Sequence, residues 1–145
     1  MYRCYHVTKW PDHTVLITGD DVIDDVTPVT TRWSSPHPPS STRYQVEVRP
    51  YPGACIDDMY DYLKPLLRRR PSHVILHVGF HDTSNVNKTS VDILTEIINL
   101  KTFIETVVVG ITVFVSCPVV RCDDEVADLK IVYIRDMMEG LLGGG

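Results

Sequence analysis

Residues 51–79 read YPGACIDDMYDYLKPLLRRRPSHVILHVG, and the two halves of this stretch follow different periods. Ile56, Met59, Tyr60, Leu63, Leu66 and Leu67 recur every three or four positions, the spacing of one helix face. Asp57 or Asp58 stands where the free N–H groups of a helix start need an acceptor. Arg68, Arg69 and Arg70 stand at its end, where cations complement the macrodipole. Pro65 brings no N–H to the ladder and predicts a kink or a restart; Pro71 ends the helix. HVILHVG is then a short apolar run, rich in β-branched residues and bounded by Pro71 and Gly79, which reads as a buried strand.

Working outward, the same alternation repeats. Val15–Thr18 is an apolar run closed by Gly19, a first buried strand, and the acidic pair Asp20-Asp21 follows it. Residues 1–13 look irregular. Residues 27–43 hold Pro28, Pro36, Pro38 and Pro39 among serines and threonines, the composition of a loop. Gln45–Arg49 alternates polar and apolar residues, as a second strand near a sheet edge does. After HVILHVG, Thr89 and Asp92 form a capping pattern ahead of a helix with Leu94, Ile97, Ile98 and Ile104 on its inner face. Gly110 breaks that helix, and ITVFVSC (Ile111–Cys117) is a fourth strand. A last helix is expected from about Asp124 to Leu142, its inner stripe formed by Val126, Leu129, Tyr133, Met137 and Leu141, with the glycines at 143–145 as a tail.

Buried strands alternating with amphipathic helices imply a parallel sheet covered on both faces, an α/β three-layer sandwich of the flavodoxin-like kind. The expected strand order is 2-1-3-4, in one domain over residues 14–142. Sites in such sheets form beyond the strand C-termini. One rim should therefore carry Asp20 and Asp21, Gly53, His81 and Asp82, and the segment from Ser116 to Arg121.

Composition narrows the function. A net charge of −5 over 145 residues argues against a nucleic-acid-binding surface, which needs a basic face. No stretch approaches the roughly 20 apolar residues of a membrane span, and the first 13 residues hold no apolar segment of a secretory signal. An intracellular, cytoplasmic protein with reduced cysteines is expected. Cys4, Cys55, Cys117 and Cys122 contain no CxxC pair, so no zinc site is expected. His73, His77 and His81 recur at every fourth position, but in a strand such residues lie roughly 13 Å apart and cannot share a metal. His77 reads as a hydrogen-bonded interior residue and His81 as the site candidate. Asp123, Asp124 and Glu125 suit a helix start.

The rim motifs resemble those of the SGNH hydrolase superfamily, the GDSL-type esterases and lipases. The resemblance is closest to esterase-like domains in invertebrate retrotransposon reading frames, and residues 51–85 carry most of it. It implies an SGNH-like version of the same sheet. In the family, Gly-Asp-Ser ends the first strand and supplies the nucleophile; the matching residues are Gly19, Asp20 and Asp21. The oxyanion glycine matches Gly53, and the Gly-x-Asn-Asp motif matches Gly79-Phe80-His81-Asp82, with His81 in place of asparagine. The family's Asp-x-x-His follows a fifth strand, and neither is found after residue 122. The resemblance thus implies acyl-ester chemistry whose nucleophile and base are both missing: an esterase-like domain that is catalytically inactive and needs no cofactor.

Two other readings stay open. Asp20, Asp21 and Asp82 ending neighbouring strands suit a hard cation such as Mg²⁺, or phosphoryl transfer. Without a fifth strand, the fourth is an open edge through which a second copy or another chain can pair.

Overall fold

In the computed structural model, which describes residues 14–20, 45–118 and 121–141, the elements run β1 (Thr14–Gly19), β2 (Gln45–Pro50), α1 (Ile56–Leu67), β3 (His73–His77), α2 (Ser90–Val107), β4 (Thr112–Ser116) and α3 (Glu125–Leu141). The strands form one sheet in the order β2-β1-β3-β4, and every pairing is parallel. The expected α/β class, parallel pairing and strand order are therefore those observed; α1, α2 and α3 all pack on one face of the sheet, and the expected covering of the other face is not seen among the described residues. The expected irregular segment at 1–13, the proline-rich loop at 27–43 and the glycine tail lie outside the described residues.

Register decides which side chains meet the helices. Leu16 lies opposite Val74, and Val74 opposite Val113; Thr18, Leu76 and Val115 form the next row on the same face. Leu16, Val74 and Leu76 are fully buried and join Ile56, Met59, Leu63 and Leu67 of α1, Ile93, Ile97, Leu100 and Ile104 of α2, and Ile134 and Met138 of α3 in one core. The alternate positions Val15, Ile17, Ile75 and Phe114 point to the other face, on which no described helix packs.

Local chemistry sets the helix ends. Thr89 caps α2: its hydroxyl accepts from Asp92 N–H, and the Asp92 carboxylate accepts from Thr89 N–H at 2.9 Å, the expected capping box. In α1 the N-cap is Cys55, and Asp58 is its partner three residues on, accepting Cys55 N–H at 2.9 Å. Asp57 and Asp58 thus serve within the first turn rather than as the cap. Pro65 neither ends nor restarts α1, which runs on to Leu67.

The stripe assigned to α3 is corrected. Val126, Leu129, Tyr133 and Met137 are exposed, while Ala127, Ile131, Ile134 and Met138 are buried. Both rows repeat at helical spacing, so periodicity alone could not choose between them; packing against α2 selects the second. In α2 the buried row is Ile93, Leu94, Ile97, Leu100 and Ile104, with Ile98 only partly covered.

Candidate functional site

The four strand ends meet at one rim, joined by backbone hydrogen bonds. Asp20 N–H donates to His77 O at 3.1 Å and Tyr51 N–H to Gly19 O at 2.8 Å, so the segments after β1, β2 and β3 are neighbours. Gly19 is required there by space: a Cβ at this position would lie 1.8 Å from the His77 carbonyl oxygen. Gly53 is the third residue of a tight turn in which Ala54 N–H donates to Tyr51 O at 3.0 Å. Its φ of +76° follows Pro52, the pattern of a type II turn. Gly53 is exposed at the rim and His81 is half-buried, its ring edge against Phe80 at 5.4 Å between centroids.

Of the residues singled out in the sequence, the structure thus places Asp20, Gly53, His81 and Asp82 on connected strand ends. Asp21, the nucleophile position, lies outside the described residues. The two described carboxylates face inward. Asp20 is fully buried, one oxygen lying 4.0 Å from His77 Nε2. The Asp82 side chain is also fully buried. One of its oxygens accepts Ile56 N–H at 3.1 Å, and the other accepts the Lys88 ammonium at 2.8 Å. Asp82 thereby ties the loop after β3 to the start of α1, beside the Gly53 turn.

Lys88 also donates to Glu96 at 3.0 Å. Burial pulls its ammonium down, but the hydrogen bonds to Asp82 and Glu96 outweigh that and hold its pKa above the ordinary lysine value. Nothing in the sequence marked Lys88: it sits in a loop with no motif, and only the fold brings it to Asp82. Cys55, beside the same turn, is held as a thiol, its pKa pushed up by burial and then by the charges of Asp82 and Asp58.

His77 is the interior histidine that the strand reading expects. It is almost fully buried, and its Nδ1 pairs with Ser116 Oγ at 3.1 Å. On the far side of His81, Arg121 acts as a strap. Its guanidinium lies 4.3 Å from the centre of the Phe80 ring. It donates to Phe80 O at 3.2 Å, to Ser84 Oγ, and to both oxygens of Asp123. Among the described residues no cluster of three or more His, Cys, Asp or Glu side chains is arranged to hold a metal ion. Among them, too, no helix is long and apolar enough to cross a membrane.

No protein-family model matches the chain, and no curated protein matches it. Solved structures do. A lipase/acylhydrolase from Enterococcus faecalis superposes with a TM-score of 0.63 at 15% identity, over 88% of this chain and 71% of that one. A GDSL-like lipase from Parabacteroides merdae gives 0.63 at 12% identity, over 89% and 74%. Axe2, an acetylxylan esterase from Geobacillus stearothermophilus, gives 0.57 at 11% identity, over 92% and 74%. At such identities the likeness establishes a shared fold, and function has to be argued from the site.

Proposed function

We propose that the chain is an SGNH/GDSL esterase-like domain without competent ester-hydrolysing machinery. One observation carries this reading: a glycine that space makes obligatory, Gly19, leads at the end of β1 into Asp20 and then Asp21, where a hydrolase of this kind has its serine. A carboxylate has no hydroxyl to activate, and its charge opposes a developing oxyanion in the same pocket. His81 in place of asparagine is a second departure, with a bulkier ring and a different reach. His81 is also the last histidine of the sequence, so no later imidazole is present in these residues to act as base.

In this reading Gly53 and His81 stand at the oxyanion positions, with the backbone N–H of Asp21 as the further donor, and an acyl ester is the ligand class such a pocket takes. Within the superfamily we place the chain nearest the esterase-like domains of retrotransposon reading frames, on the motif resemblance of residues 51–85 alone, and we place it in the cytoplasm. The cation reading has less behind it. Both Asp82 oxygens are engaged, and the Lys88 ammonium occupies the position beside them that a metal would need.

Labelling with a fluorophosphonate probe tests the proposal. Neither the natural chain nor Asp21→Ser should be labelled, because a serine without a base stays unreactive. Labelling of the natural chain at any serine would overturn the reading.

A further inference from the structure

Two sheet edges are present among the described residues, and they differ in chemistry. The β2 edge is guarded: Glu47 pairs with Arg49 and with Arg69, and Pro50 ends the strand without an N–H. Charges and proline are the usual means by which an edge resists pairing. The β4 edge has neither. Its sequence is Thr-Val-Phe-Val-Ser, uncharged and β-branched, and Phe114 is 56% exposed. Beside it runs a groove of about 210 Å³ walled by Val113, Val115, Cys117, Lys101 of α2, and Met138 and Glu139 of α3.

We propose that this edge pairs with a second copy of itself, antiparallel about a dyad at Phe114. The strand is close to a palindrome. In that register Phe114 faces Phe114 of the partner subunit, each Val113 faces a Val115, and each Thr112 faces a Ser116. Every pair is of like chemistry, and aromatic, β-branched and hydroxyl pairs of this kind stabilise antiparallel ladders. A dyad perpendicular to the sheet keeps the helical layer of both copies on one side, so the two grooves meet. The two α3 helices come onto the same side of the junction, and with them the exposed row Val126, Leu129, Tyr133 and Met137. The result is a closed, isologous dimer with one eight-stranded sheet, in which neither β4 edge is left open. It is independent of whether the rim has catalytic competence.

Sedimentation velocity and oxidative cross-linking of the full chain test this. The natural protein should sediment as a dimer at tens of micromolar. Phe114→Lys sets two like charges opposite each other on an exposed position; it should sediment as a monomer with an unchanged far-UV spectrum. Phe114→Cys should form a 114–114 disulfide, identified by peptide mass mapping, because directly opposed antiparallel residues lie within disulfide reach. A natural chain that stays monomeric at 100 µM would overturn the proposal. So would a dimer that Phe114→Lys leaves intact, or open-ended aggregates without a 114–114 bridge.

Discussion

Lys88→Met removes the ammonium from a carboxylate whose side chain is fully buried. Asp82 would keep the Ile56 N–H at 3.1 Å and lose its charged partner at 2.8 Å. Stripping one member from a fully buried ion pair costs about 3–5 kcal/mol. Here the lysine side chain is 20% exposed, so water can reach the vacated position and the expected loss is about 2–4 kcal/mol. For a chain of this size that lowers Tm by roughly 5–15 °C. Urea unfolding followed by circular dichroism should show the midpoint falling with an unchanged slope. The double variant Asp82→Asn/Lys88→Met should recover part of the loss, since the amide oxygen still accepts Ile56 N–H and no charge is stranded. The pH dependence has a definite sign. Because the folded-state pKa of Lys88 is raised above 10.5, its contribution is complete below that pH and is lost as pH climbs through the folded value. The natural chain should therefore lose stability above about pH 10.5 in a way that Lys88→Met does not. A Lys88→Met protein within about 0.5 kcal/mol of the natural chain at neutral pH would refute the clamp.

Two further perturbations probe the frame of the rim. Gly19→Ala places a Cβ 1.8 Å from a backbone oxygen that cannot move away; it should cost more than about 3 kcal/mol or abolish folding, read as loss of soluble protein or of a cooperative melt. Ile97→Ala empties a fully buried position between α2 and the sheet, beside Gly79, and should cost about 2–5 kcal/mol by urea unfolding.

Strand order, parallel pairing and the placement of the rim were legible because β1, β3 and β4 are short apolar runs, β2 alternates polar and apolar residues as an edge strand does, and each described connection carries a helix-period pattern. The capping box at Thr89 and Asp92 was legible for the same reason: it is local. What sequence reading missed depends on contacts between distant residues. α3 has two apolar rows at helical spacing, and only its docking on α2 decides that Ile131 and Ile134 go inside while Leu129 and Tyr133 stay out. Pro65 costs a ladder bond wherever it sits in a helix interior, yet α1 continues through it, anchored by the burial of Met59, Leu63, Leu66 and Leu67 on either side. Lys88 could not be anticipated, since its partner Asp82 is a motif residue only by position and becomes a buried anion only once the fold is formed. Motif reading ranked Asp20 and Asp82 with the rim; the structure buries both carboxylates, and Asp82 ties the loop after β3 to the start of α1.

Steady-state hydrolysis of a short-chain activated ester, by the natural chain and by Asp21→Ser, bears most directly on the proposed function. Absence of a triad nucleophile or base lowers turnover on the order of 10⁶-fold, so both proteins should match the buffer rate. Saturable turnover by the natural chain, abolished by His81→Ala, would contradict the account.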